Sequence, residues 1–308
     1  MPSDAYSLDE ETCLTLASAP FQLEDFLGVL GRDVMVEPAL EACEKAYKAT
    51  DTLNPEVRAV YARALLLSGD YGASADQARI AAEEGSALAM NTLAIAYERG
   101  RGTEKNSGES LKWYAEAAKA GFPMAQYNLA QRVKSDDPEL ALKLYRAAAD
   151  AGYGSAQIAL GKLYREGTLV SKDLDTAMSW FEMAIEDNQD IDAMYWAALI
   201  LSGDSGAYPL DYERALSLYE RSADAGDKWS QHNVAAMYFH GKGTAPDRDR
   251  AQYYFGLAAE QDHVKSMRKY GRLKHENGDP AAALYWYQRA ADEGDEVAAE
   301  LLAKLLGE

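Results

Sequence analysis

Cysteine is almost absent from this chain. Cys13 and Cys43 are the only two in 308 residues, and neither recurs with any period. They form no disulfide framework and read as two small buried hydrophobes. Histidine is scarce too. His232, His240, His263 and His275 include no pair at the i, i+4 spacing of a helical zinc site and no His-Glu-x-x-His, so no metal or other cofactor is expected. No apolar run approaches the roughly 18 residues needed to span a membrane. Residues 1–12 carry Asp4, Asp9, Glu10 and Glu11 and lack the basic and apolar regions of a secretory signal; a cytoplasmic protein is expected. Positive charge is also short, with 31 Lys and Arg against 50 Asp and Glu, a net charge of −19. Such a chain is repelled by phosphate backbones and anionic membranes, which argues against nucleic-acid partners and membrane insertion.

Catalytic signatures are missing as well. There is no Gly-x-Ser-x-Gly elbow. The Gly-x-Gly pairs at 100–102 and 241–243 follow helical patterns and lack the strand-to-helix context and Lys-Ser/Thr of phosphate loops, so they read as helix-ending turns. Asp136-Asp137 lies in a turn, where solvation and capping explain it. Without a catalytic constellation the chain is not expected to be an enzyme.

What is present is repetition. A small-residue pair followed three residues later by Gly recurs at Ala81-Ala82…Gly85, Ala117-Ala118…Gly121, Ala148-Ala149…Gly152, Ser222-Ala223…Gly226 and Ala290-Ala291…Gly294. Degraded copies stand at Ala184-Ile185…Asn188 and Ala258-Ala259…Asp262, and the spacings are 36, 31, 36, 38, 36 and 32 residues. A period in this range marks a solenoid, and solenoids present surfaces more than they build catalytic centres. Within each period one helix, A, keeps small or large apolar residues at positions 1, 5, 6 and 9, as in Ala125, Leu129, Ala130 and Val133; these lie on one helical face. A glycine turn usually follows. Then comes helix B, with aromatic wedges such as Trp113-Tyr114, Trp180-Phe181 and Trp286-Tyr287, and it ends at the recurrent glycine.

The pattern A-x-x-x-L-G-x-x-Y-x-x-G, a loop, then A-x-x-W-Y-x-x-A-A-x-x-G, resembles the Sel-one-like repeat (SLR) family, a longer-looped relative of the tetratricopeptide repeat. The match runs over about residues 56–306 and is weakest at 121–152, where Lys134-Ser-Asp-Asp-Pro138 replaces the glycine loop. The resemblance implies an all-α, right-handed superhelical α/α solenoid of about seven helix-turn-helix repeats. Repeat ends fall near 85, 121, 152, 188, 226, 262 and 294. Residues 1–36 read as a helical N-terminal cap, 37–308 as the solenoid beginning with a lone helix B over 37–50, and 296–306 as a C-terminal capping helix. The whole is expected to be one continuous body and a monomer.

In stacked helical pairs helix A lines the concave side. With positions 1, 5, 6 and 9 in the core, positions 3, 7 and 10 point into the groove. That places Arg63, Tyr127, Lys134, Ile158, Lys162, Arg165, Tyr195, Leu199, His232, Phe239, Arg268 and Arg272 there as partner-binding candidates. Six residues of the groove series are basic and one, Glu98, is acidic. A basic, aromatic groove and an acidic convex face are expected, and Arg and Tyr are enriched at binding hot spots. The leading function is a non-catalytic scaffold or adaptor that holds a protein or peptide with acidic and apolar contact residues. The family resemblance, without export features, implies an intracellular adaptor. The alternative is a cytoplasmic immunity or inhibitor protein that sequesters a toxin or enzyme through its acidic convex face.

Overall fold

Each helix B stops where the backbone turns left-handed. At the recurrent glycine φ is +100° at Gly85, +85° at Gly121, +79° at Gly152, +100° at Gly226 and +88° at Gly294, a conformation that glycine reaches without a Cβ penalty. The Ala-Ala pair supplies the acceptors of the turn. Gly121 N–H donates to the Ala118 carbonyl and Phe122 N–H to the Ala117 carbonyl, both at 3.0 Å. This is the double bond of a Schellman cap. Asp262 keeps the motif without glycine, at φ +61°. In the remaining copy the turn falls one residue beyond Asn188, on Gln189 at φ +53°. Asn188 stays helical, and the Gln189 side-chain amide donates to the Ile185 carbonyl at 3.0 Å.

The computed structural model describes Cys13 and residues 32–49, 54–203 and 208–307. Among the described residues there are sixteen α-helices and no strand. They are α1 (Arg32–Ala49), α2 (Pro55–Ser68), α3 (Tyr71–Glu83), α4 (Ala87–Arg99), α5 (Ser107–Lys119), α6 (Pro123–Val133), α7 (Pro138–Asp150) and α8 (Gly154–Glu166). There follow α9 (Leu174–Asn188), α10 (Ile191–Leu201), α11 (Tyr212–Asp224), α12 (Lys228–His240), α13 (Arg248–Glu260), α14 (Val264–Glu276), α15 (Pro280–Asp292) and α16 (Glu296–Leu306). From α4 onward the even-numbered helices are helix A and the odd-numbered ones helix B. Polar side chains start most of them. Ser86, Asn106, Asp137, Asp190, Asp211, Asp227 and Asp295 accept backbone N–H bonds as N-caps.

The chain divides into two compact units, 1–156 and 157–308. In the first, each helix from α1 to α7 packs on its neighbour in sequence, and α2 also packs on α4. In the second, α9 to α16 pack in the same nearest-neighbour way. The position-1 residues Ala89, Ala125, Ala156, Ala193, Ser230 and Ser266 are all fully buried, as the period predicts. So are the wedges Tyr114 and Phe181.

The glycine loops between helix A and helix B share one geometry. The N–H of the residue capping helix B returns to the carbonyl of the position-9 residue: Asn106 to Tyr97, Asp173 to Tyr164 and Asp247 to Tyr238, each at 2.9 Å. The loop also lies on backbone of the preceding helix B. A Cβ at Gly102 would stand 2.5 Å from the carbonyl carbon of Tyr71, and one at Gly243 would stand 2.6 Å from that of Tyr212. The Gly-x-Gly pairs are therefore packing devices.

Two expectations are corrected. Cys13 and Cys43 are bonded to each other, with Cα atoms 4.6 Å apart, within the usual disulfide range. Both are fully buried against Val57, Val60, Tyr61 and Leu65. The pair lies outside the periodic pattern, so reading the period alone left them as thiols. Helix α1 begins at Arg32 rather than 37 and carries Pro38 inside it. The helical cap expected at 1–36 lies, apart from Cys13 and 32–36, outside the described residues. The C-terminal capping helix coincides with α16.

Candidate functional site

Helix A presents fewer free side chains than a count of its positions suggests, because on α6, α12 and α14 position 3 is turned toward the next repeat. In the first unit the Tyr127 ring packs edge-on at 5.4 Å against Tyr153, which precedes α8. In the second, His232 meets the α14 N-cap His263 at 4.5 Å between ring centroids. Arg268 Nε donates to Oδ2 of the α16 N-cap Asp295 at 2.9 Å. On these three helices position 3 is thus an inter-repeat joint whose chemistry changes from Tyr–Tyr to His–His to Arg–Asp.

In the first unit Arg63 is buried at 7% exposure and belongs to the packed interior. Tyr127 accepts a bond from Gln131 Nε2 at 2.8 Å. Exposed Lys134 donates to Gln131 Oε1 at 3.4 Å. These three polar groups form a chain along α6. The acid of the series, Glu98, is taken by a residue outside it. Arg132 Nε donates to Glu98 Oε1 at 2.7 Å, and the Tyr114 hydroxyl donates to Glu98 Oε2 at 3.2 Å. The Arg132 guanidinium also lies over the Tyr114 ring at 4.4 Å.

In the second unit Ile158 and Leu199 are buried at 7% and 8% exposure and join the core. Lys162 and Arg165 come together over one ring, Trp196, at 4.8 and 4.4 Å from its centroid. Tyr195 packs edge-on to the same indole at 5.2 Å and to Tyr219 at 6.1 Å. Phe239 lies under the Arg248 guanidinium at 5.2 Å. Arg272 donates to Glu276 at 2.8 Å, and Arg248 reaches the same carboxylate at 2.8 Å. That double contact holds the Glu276 carboxyl below its usual range, chiefly through the Arg272 bond.

The His232–His263 pair was invisible to helical spacing, since the two residues lie a repeat apart. Both Nδ1 atoms are 2.8 Å from the Ser266 hydroxyl. Burial depresses both imidazoles, with neighbouring cations adding to it, to about 3 for His232 and about 4 for His263. Both are neutral at pH 7, which suits a packed joint. Among the described residues no group of three or more His, Cys, Asp or Glu could hold a metal ion.

Trp196 is the central group that counting positions 3, 7 and 10 missed. It stands at position 4, and its signal was the aromatic pair Tyr195-Trp196 on a helix otherwise nearly uniform in apolar residues.

The described geometry matches known repeats. The Sel1 repeat family model matches residues 87–122, 123–153, 154–188, 191–227, 230–263 and 265–295, one helix A and one helix B in each. The chain is 30% identical over 191 residues to an uncharacterized protein of Neisseria meningitidis serogroup B, covering 61% of this chain and 39% of that one. It is 28% identical over 201 residues to chitin synthase regulatory factor 3 of Schizosaccharomyces pombe, covering 61% of this chain and 22% of that one. It therefore spans well under half the length of either relative. Among solved structures, a protective antigen of uropathogenic Escherichia coli with an SLR fold superposes with a TM-score of 0.76 at 25% identity, over 86% of this chain and 59% of that one. A Sel1 repeat protein of Oxalobacter formigenes gives a TM-score of 0.66 at 26% identity, over 76% of this chain and 96% of that one. With six matched repeats covering most of its length and an all-α helical-repeat fold, this chain belongs to the Sel1 repeat family.

Proposed function

We propose that this chain is a non-catalytic scaffold that captures a segment of a partner protein on the helix-A side of its second unit, around Trp196. One observation carries the reading: Lys162 and Arg165 both flank the half-buried Trp196 indole, with Tyr195 beside it. An aromatic platform edged by cations suits a segment with acidic and apolar side chains, and Trp, Tyr and Arg are the residue types that concentrate binding energy. The regulatory name of the fission-yeast relative accords with a protein that acts by binding. Among the described residues no helix is long and apolar enough to cross a membrane.

The test is affinity capture from the native cell with the intact chain and with Lys162, Arg165 and Tyr195 all replaced by Ala. The triple variant should keep its helicity by circular dichroism and lose the stoichiometric partner. Equal retention of the same partner by both proteins would sink the assignment.

A further inference from the structure

Helix α14 carries a charge pattern foreign to the rest of this acidic chain. Lys265, Lys269 and Arg272 follow at i, i+4 and i+7, on one face. Arg272 is committed to Glu276, and Arg268 to Asp295. Among the described residues, neither Lys265 nor Lys269 meets a carboxylate within ion-pair distance. On α12, Lys228 Nζ donates to the Gln261 carbonyl at 3.2 Å.

These lysines converge. Lys265, Lys269 and Arg268 act on the His232 ring, and Lys228 and Lys265, opposed by Asp227, on the His263 ring, while the two rings are 4.5 Å apart and Lys228 Nζ lies 5.9 Å from the Trp229 ring centre. Beside them the Trp229 indole packs edge-on to His263 at 4.7 Å and remains 52% exposed. The acid that acts on His263 is the α12 N-cap Asp227, whose carboxylate is held by the Ser230 N–H. Helices α10, α12 and α16 start on Asp190, Asp227 and Asp295, whereas α14 starts on the neutral His263. Gathering more cations than carboxylates costs folding free energy by self-repulsion, and a negatively charged partner relieves that cost.

We infer that the shared edge of α12 and α14, with Lys228, Lys265 and Lys269 around Trp229, is a docking site for a Glu- and Asp-rich segment of a partner protein that lays an apolar side chain on the indole. The inference rests on the reading of the chain as a protein-binding scaffold but uses residues separate from the Trp196 platform. A protein segment is favoured over nucleic acid because a long polyanion meets the repulsion of a chain with net charge −19.

The probe is a fluorescein-labelled peptide of alternating Glu and Phe, followed by fluorescence anisotropy against the full chain. The same peptide with Lys in place of Glu and a labelled oligothymidylate serve as comparisons. The intact chain should bind the Glu peptide, more weakly as salt rises, and bind neither comparison. Lys265→Glu with Lys269→Glu should weaken binding by about tenfold or more, and Trp229→Ala by a similar factor. Lys265→Gln with Lys269→Gln should fall between, and circular dichroism should not change. Absence of Glu-peptide binding, full affinity in the Lys→Glu variant, or equal binding of the Lys peptide or the oligothymidylate would each overturn the site. If such a result comes while the Lys162, Arg165 and Tyr195 variant still loses its native partner, the scaffold stands and this site falls. If that variant keeps the partner, the scaffold reading fails separately.

Discussion

Gly161 sits inside α8, where a glycine ordinarily costs helix stability, yet alanine would not fit. A Cβ there would stand 2.7 Å from Cδ1 and Cζ of Phe181, a fully buried ring. Gly161→Ala should therefore lower stability by about 1–3 kcal/mol through overpacking, despite a gain of about 1 kcal/mol in helix propensity. Gly256→Ala is the control. Its Cβ would meet Tyr270 Cζ at 3.2 Å, and that ring is half-buried and able to shift, so urea midpoints should separate the two variants clearly. Leu169 is the opposite case. It occupies the loop position that Gly102 and Gly243 fill elsewhere, and it does so at φ +62° with 41% exposure. Leu169→Gly should raise stability by about 1 kcal/mol by relieving the left-handed conformation. An unchanged or lower urea midpoint would show that the side chain makes up for its backbone. The small residue at position 6 was legible from sequence, because close approach of two helices leaves a compositional trace. The left-handed Leu169 was not, because φ is set by loop closure rather than by residue type.

Between elements, polar joints do what the apolar period cannot. Glu98 of α4, Tyr114 of α5 and Arg132 of α6 lock three consecutive helices. Arg132 and Glu98 are partly exposed, at 26% and 33%, so a double-mutant cycle of Arg132→Ala with Glu98→Ala should give a coupling of about 1–2 kcal/mol and no more. A coupling near zero would reduce the joint to an incidental surface pair. The His232–His263 joint makes stability depend on pH. His232 has its ordinary value of 6.5 when unfolded and about 3 when folded, so between those values the unfolded chain binds more protons. Stability is then full above pH 6.5 and falls as the pH drops toward 3. From pH 7 to pH 5 the loss assigned to His232 is about 1–2 kcal/mol. His232→Asn should flatten that slope in urea titrations, and an unchanged slope would place the titration elsewhere. Sequence spacing within one helix could not reveal these joints, since each partner lies on a different repeat.

For the whole molecule, repeat energetics are local, so a change at one end should stay there. The Cys13–Cys43 bond closes a loop with a sequence separation of 30, which corresponds to about 3–4 kcal/mol of constraint on the unfolded chain. Reduction should speed hydrogen exchange in α1 and α2 and leave α10 to α15 unchanged, read by mass spectrometry. Faster exchange throughout would mean that the two units unfold as one. The sequence by itself determined the helix pairs, their core positions, the turns and the family, because each is written in local spacing repeated many times. The tertiary structure decided which outward positions remain available. It buried Arg63, Ile158 and Leu199, spent Tyr127, His232 and Arg268 on the next repeat, bonded the two cysteines, and left Trp196, Trp229 and the lysines of α14 at the surface. The physical reason is that the period defines the face a helix turns inward. How its edges meet the neighbouring repeat depends on pairs of side chains about a whole repeat apart, and no local pattern carries them.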